Sequence, residues 1–285
     1  MKMRAIWAVG LAGLFFVAGC TQNPPTSPAT PTEDATTSAS PDATGDPTQE
    51  VTTDEVSIYV VRHGRTMLNT TDRVQGWSDA VLTPEGEEVV KAAGRGLKDV
   101  VFQSAYSSDS GRAIQTAKMI LAESDSSSEL VLENDPRFRE FNFGTWEGDL
   151  NHNMWTAAAE LSNQTMDEWL ADLSPQIFAD AVAALDKENP EAANNWPAED
   201  YATISARLKE GLDELVETET AKGNGNVLLV SHGLSISALF DQVAPDFEMP
   251  MGGLKNASVS ILKYKDGEYS MESFNDMSYV EKGTQ

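Results

Sequence analysis

VSIYVVRHGRT, residues 56–66, decides the architecture. Val56 to Val61 is a short, almost continuous apolar run, and polar residues and a glycine break it at Arg62-His63-Gly64-Arg65-Thr66. Such a run reads as a buried parallel strand whose last residue emerges at the carboxyl edge of a sheet. The chain has only three histidines, and a second one repeats the setting, with Val227 to Val230 leading into Ser231-His232-Gly233. Open α/β sheets bind ligands at that edge. Two imidazoles delivered there, with Arg62 and Arg65 beside the first, suit the holding and transfer of a phosphoryl group.

Outward from these strands, helix and strand signals alternate. Leu82-Thr83-Pro84 offers Thr83 as an N-cap and Pro84 as a first helical residue, and Val89, Ala92, Ala93, Leu97 and Val100 follow at helical spacing. A segment near Ala105-Tyr106 reaches the capping cluster Ser107-Ser108-Asp109-Ser110. The helix it starts runs through Ala113, Ala117, Ile120 and Leu121 and carries Arg112 in its first turn. A helix N-terminus presents free N–H groups and the positive end of its dipole, so an arginine there reinforces an anion site. Tyr201, Ile204, Leu208, Leu212 and Leu215 mark a long amphipathic helix ahead of the second strand. Val259 to Lys265 and Glu268 to Phe274 flank Asp266-Gly267, a two-residue hairpin signal. The expected fold is α/β, a three-layer sandwich with a mostly parallel central sheet, a helical cap insertion at about residues 151–195 and a C-terminal hairpin.

The N-terminal part reads differently. Lys2 and Arg4 precede the apolar stretch Ala5 to Ala18, and Gly19-Cys20 closes it. This is too short for a membrane span and has the order of an export signal. Val17-Ala18-Gly19-Cys20 resembles the lipobox of bacterial lipoproteins, which implies acyl chains on Cys20, membrane lipid as a partner and a place outside the cytoplasmic membrane. An ordinary secretory signal with an incidental cysteine is the alternative. Cys20 is the single cysteine, so no internal disulfide supports the fold. Residues 21–54 are rich in Thr, Ser, Pro, Ala and Asp and hold six acids without one Lys or Arg. Too little apolar surface is available there to offset ordering, and the segment reads as an extended acidic tether.

Residues 55–285 form the expected single domain. Taking Lys2 and Arg4 from 20 bases and the six tether acids from 45 leaves 18 bases against 39 acids, a net charge of minus 21. That charge argues against nucleic acid as a partner. Arg62, Arg65 and Arg73 are the densest basic cluster, so the anion site is local within an acidic body.

From Ser57 to Phe274 the chain resembles the histidine phosphatase superfamily, the branch of phosphoglycerate mutases and small-molecule phosphatases. The stretches that carry the resemblance are YVVRHGRTMLN, RVQGWSDAVLTPEG, SSDSGRAIQTA, FREFNFGTWEG and LLVSHG, in the family's order. The resemblance implies His63 as the nucleophile that becomes phosphohistidine, with Arg62, Arg112, His232, Asn69 and Gly233 around the phosphoryl group. It implies Glu140 as the acid that protonates the leaving alkoxide and then activates water. Two arginines and an imidazolium suit the spread charge of a transferring phosphoryl group, and a histidine supplies the covalent step. No metal and no cofactor are expected. A small phosphomonoester is the implied substrate, and hydrolysis is favoured because REFNFGTWEG resembles the phosphatases' version of the motif. A mutase-type phosphotransferase and a non-catalytic anion-binding surface lipoprotein are the alternatives. Where related phosphatases often carry an arginine after the second His-Gly, this chain has Ser237. Arg65 and Arg73 divide between phosphate contact and surface ion pairing, His152 matches no motif, and the aromatics of the cap read as packing rather than ligand contacts.

Overall fold

The structure, a computed structural model, describes residues 54–245 and 247–285. The export signal, Cys20 and the tether up to residue 53 lie outside the described residues. Six strands form one sheet: β1 (Val56–Arg62), β2 (Phe102–Ser107), β3 (Leu132–Asn134), β4 (Gly225–Ser231), β5 (Val259–Lys265) and β6 (Glu268–Asp276). Their order is β3-β2-β4-β1-β5-β6. β1 to β4 run parallel, while β5 lies antiparallel to β1 and β6 antiparallel to β5.

The central strands read as unbroken apolar runs because both of their faces are covered. Val227, Leu228, Leu229 and Val230 are all fully buried. Along β1 the pleat sends Val56, Ile58 and Val60 into one core and Val61 into the other. The second core is closed by α2 (Pro84–Leu97), α3 (Gly111–Ala122) and α9 (Ser278–Thr284). The first is closed by α7 (Tyr201–Ala221), α8 (Gly233–Val243) and the cap. This is the three-layer α/β sandwich expected from the sequence.

Local signals set several element ends. The Thr83 side chain accepts from the Gly86 amide at 3.0 Å, with Pro84 in the first turn of α2. At the hairpin, Asp266 and Gly267 take φ of 52° and 90°, as a two-residue turn between right-twisted strands requires. Two elements carried no such signal. β3 is three residues long at the sheet edge, and the C-terminal α9 packs across α2 where Gly96 faces the backbone of Tyr279. A Cβ at Gly96 would overlap that backbone, so the close crossing requires glycine.

The cap comprises α4 (Asn151–Leu161), α5 (Met166–Ala171) and α6 (Pro175–Lys187). Trp155, Trp169 and Phe178 meet pairwise with ring centroids 5.3–6.0 Å apart. The cap is bolted to the sandwich through buried Asp186. Its carboxylate accepts from the Thr145 amide (2.7 Å), the Thr145 hydroxyl (2.6 Å) and the Ala198 amide (2.9 Å).

Candidate active site

β1 and β4 are hydrogen-bonded neighbours in register, Arg62 opposite Ser231, so the two histidines that follow them leave the sheet side by side. Their ring centroids are 5.1 Å apart. The His63 amide donates to the Ser231 carbonyl at 3.0 Å, and the Gly64 amide donates to the Thr116 hydroxyl at 3.0 Å. These bonds fix the turn against β4 and α3.

The hydrogen bonds decide the tautomers. His63 Nδ1 lies 2.8 Å from the Gly64 carbonyl, which can only accept, so Nδ1 carries the proton and Nε2 keeps its lone pair. Burial, then the nearby Arg112 and Arg62 charges, push the His63 pKa well below the ordinary histidine value. A neutral ring is a nucleophile. His232, the N-cap of α8, has the opposite tautomer: Arg112 Nε donates to its Nδ1 at 3.1 Å, which leaves the proton on Nε2. Burial and then Arg112 lower its pKa well below the histidine range too. His232 is therefore a neutral N–H donor here, rather than the imidazolium expected from the sequence; an arginine that donates to Nδ1 has no use for a second proton there.

Arg112, fully buried in the first turn of α3, is held on every side. Its guanidinium donates to the Gly76 carbonyl (2.7 Å), the Ser78 carbonyl (3.0 Å) and Asp79 (2.9 Å), besides His232. Arg62 donates through Nη1 to the Leu254 carbonyl and passes over Gly233. Its Nε, together with His232 Nε2 and Gln75 Nε2, is a buried donor with no partner within the protein. Buried donors are ordinarily paired. Arg62 and Gln75 line one cavity with His63, and His232 lies beside His63 with ring centroids 5.1 Å apart, so the three orphans suit an anion there.

Glu140 enters from the loop after a short 3-10 turn at 136–138. Its Oε1 accepts from the Phe141 amide (3.1 Å), the Ser235 amide (2.9 Å) and the Ser235 hydroxyl (3.1 Å), whereas Oε2 accepts only from the Leu234 amide (3.1 Å). Oε2 is thus the oxygen with a lone pair to spare. The carboxyl sits over the N-terminus of α8, and its backbone carbonyl is gripped by Trp77 Nε1 and Arg207 Nη2, each at 3.0 Å.

Arg62, His63, Asn69, Glu140, Gly233 and Ser237 all line one cavity of about 510 Å³. His232, beside His63, and Arg112, bonded to His232, are fully buried. Asn69 Oδ1 accepts from the Thr66 amide at 3.2 Å, closing a capping box on the short helix α1 (Met67–Thr70), so Nδ2 is its remaining donor group. Arg65 is on the surface, paired with Glu85 at 3.7 Å, and Arg73 donates to the Gly148 carbonyl at 2.7 Å; neither lines the cavity. His152 is exposed on α4.

Sequence reasoning missed four contributors. Gln75 lines the cavity beside its orphan donor. Asn256 donates to the His63 carbonyl (3.0 Å) and to Asn69 (3.4 Å). Glu147 gathers the amides of Gly76, Trp77, Ser78 and Phe143 and the Ser78 hydroxyl, shaping the loop whose carbonyls bind Arg112. Arg207, paired with Glu199 at 2.8 Å, holds the carbonyls of residues 137, 139 and 140. Gln75 and Glu147 stand inside the recognised stretches and could have been drawn from them. Asn256 and Arg207 sit in no local pattern.

The sequence matches the Histidine phosphatase superfamily (branch 1) over residues 58–277. Among curated proteins it is 26% identical to a probable phosphoglycerate mutase GpmB of Erwinia tasmaniensis, over 79% of this chain and 95% of that one. Among solved structures, a phosphoglycerate mutase from Bacillus anthracis str. Sterne is 42% identical with a TM-score of 0.75, covering 83% of this chain and all of the other. A mycobacterial glucosyl-3-phosphoglycerate phosphatase, solved with VO3, is 25% identical with a TM-score of 0.59, over 78% and 99% of the two chains. With the paired histidines, the buried arginine and the matched span together, this chain belongs to the histidine phosphatase superfamily, branch 1.

Proposed function

We propose that this protein is a phosphomonoesterase that works through a phosphohistidine on His63, held outside the cytoplasmic membrane by acyl chains on Cys20. The observation that carries the catalytic reading is the tautomer pair. His63 Nε2 has a free lone pair while His232 Nε2–H, Arg62 Nε–H and Gln75 Nε2 are buried donors without protein partners.

The reaction follows from these atoms. The His63 Nε2 lone pair attacks phosphorus; the N–P bond forms as the bond to the leaving oxygen breaks. That oxygen takes the proton of the Glu140 carboxyl group, which enters this step in its acid form with the O–H on Oε2. Donors from Arg62, His232 and Gln75 meet the charge spread over the phosphoryl oxygens, the main work in such a transfer. Water then attacks the phosphohistidine, its proton passes to Glu140 Oε2, and the N–P electron pair returns to His63. The buried Arg112 keeps His232 in the donor tautomer.

A radioactive phosphomonoester, rapid quenching and digestion test this. Acid-labile, base-stable label on wild type and none on His63→Ala is the expected result; equal label on both would place the nucleophile elsewhere. Fractionating cells that express the full chain or Cys20→Ala tests the anchor, which release of both into the soluble fraction would refute. A mutase reading has support in the names of the similar proteins. With 3-phosphoglycerate as substrate, free phosphate equal to ester consumed supports hydrolysis, and an isomerised ester without phosphate supports the mutase.

A further inference from the structure

We infer that the substrate is the monophosphate of an apolar alcohol, alkyl, isoprenoid or aryl, rather than a sugar or acid phosphate; the inference takes the phosphate end of the site as proposed above and concerns what lies beyond it. The cavity is about 510 Å³, far more than a phosphoryl group fills and within the range that encloses a drug-sized molecule. Besides the phosphate-end residues it is lined by Trp155, Leu170, Leu173 and Phe178 from the cap, where Asn151 is the one polar side chain and already donates to Asp72 at 2.8 Å, and by Met249 and Met251 from the loop before β5. Val74, Phe143 and Leu254 continue the apolar lining toward the phosphate end.

Charge makes the same point by elimination. Among the described residues that line the cavity, Arg62 is the one lysine or arginine and Glu140 the one carboxylate, and both are committed to the phosphoryl end. Arg112 is buried, is not part of the lining and has four of its five N–H groups on His232, Ser78, Asp79 and Gly76, Arg65 pairs with Glu85 on the surface, and Arg73 is turned to Gly148. A substrate carboxylate such as that of phosphoglycerate would enter this chamber without a partner, and a sugar's hydroxyls would lose water for little return, both of which are costly when enclosed. An apolar group gains by leaving water. The Met249 and Met251 thioethers suit chains of varied shape because methionine adapts its three torsions to what it touches. Gly252 and Gly253, both at positive φ (80° and 72°) with open space around them, leave the mouth beside Met251 unobstructed.

Straight-chain alkyl phosphates isolate the effect, since their leaving alcohols are almost equally basic and differ only in apolar length. For the full-length protein, kcat/KM from ethyl to octyl phosphate should rise by ~2- to 4-fold per methylene until the chamber is filled. Octyl phosphate should exceed glycerol 3-phosphate and 3-phosphoglycerate by at least ~30-fold, as follows from several such steps. Alkylphosphonates, which cannot be hydrolysed, should bind more tightly with length, with Kd falling along the series by calorimetry. Met251 is 89% exposed, so Met251→Lys should fold normally, flatten the series and raise the relative rate on 3-phosphoglycerate. A Kd that stays flat or rises, with kcat/KM that stays flat or falls, along the series, or preference for the polar esters, overturns the inference. Phosphonates that bind more tightly with length while no ester is hydrolysed would uphold the apolar chamber and overturn the phosphomonoesterase reading instead.

Discussion

The two ends of the cavity are built on opposite physical principles. At the phosphate end, side chains come from the tips of adjacent parallel strands and the first turns of α3 and α8. Arg112 and Glu140 are tied by hydrogen bonds to backbone, while Arg62 Nε, His232 Nε2 and Gln75 Nε2 are held as buried donors without a protein partner. At the leaving-group end the walls are mostly apolar side chains from the cap and a loop; Asn151, the one polar side chain from the cap, donates to Asp72 at 2.8 Å. The phosphoryl group is the same in every substrate and rewards preorganisation; the rest of the molecule is where discrimination must arise. Rigid polar positioning and adaptable apolar contact therefore divide between two regions of one chamber.

The sharpest test of that division is His63→Ala. It should lower kcat/KM by more than ~10³-fold on every ester, whatever its alcohol, because the covalent step is lost. A loss that varied with the alcohol would break the separation of the two ends. Next comes Glu140→Gln, which should slow alkyl phosphates by ~10²-fold or more and nitrophenyl phosphate by only a few fold, since a stable leaving group needs little protonation. Equal slowing of both would move the acid to another residue.

Glu147 does not itself line the cavity, yet five donors converge on its carboxylate. Glu147→Ala should cost about 3 kcal/mol by stranding those donors, read as a lower urea midpoint, and should reduce aryl and alkyl hydrolysis in parallel. An unchanged midpoint would show that the loop at 76–78 is held by other contacts.

The histidine pair predicts the pH dependence of stability. Both folded-state pKa values lie well below 6.5, so the unfolded chain binds more protons once the pH falls under about 6.5. Stability from these two groups is complete above that value and is lost as the pH drops toward their folded pKa values, by up to about 1.4 kcal/mol per pH unit for each histidine. Urea midpoints from pH 7.5 to 5 for wild type and for a His63→Gln, His232→Gln double variant measure it. An equally steep decline in the variant would assign the effect to other groups. The smallest change belongs to Arg65→Ala, an exposed pair with Glu85, which should alter kcat/KM less than ~2-fold; a tenfold loss would bring Arg65 back to the phosphate.

The cap shows where a reading from sequence alone falls short. Its span and helical character are visible in the residues, and packing was the expected role of its aromatics. Trp169 does pack and is almost fully buried, but Trp155 and Phe178 also form cavity wall, and Trp196 lies outside against Trp77 at 5.4 Å. Helical periodicity tells which residues turn away from water, and a packed core and a ligand chamber look alike by that measure. Nor does sequence reveal that Asp186 fastens the cap to Thr145, so that the cap is part of the sandwich's own packing.

The sequence by itself determined the strand-to-histidine junctions, the helix cap at Thr83, the helix start after Ser107-Ser108-Asp109-Ser110 and the hairpin at Asp266-Gly267. Those features are local: a strand, its turn and the next helix's first residues are neighbours in the chain, and each carries its own chemical signal. Tertiary structure alone decided the strand order that sets His63 beside His232 in register, and the tautomer that Arg112 imposes on His232. It also decided the bracing by Glu147, Arg207 and Asn256 and the apolar chamber made from the cap and the loop before β5. These depend on contacts between residues tens to nearly two hundred positions apart, such as Asn256 on the His63 carbonyl, and a contact's partner is fixed by packing, which no local pattern records.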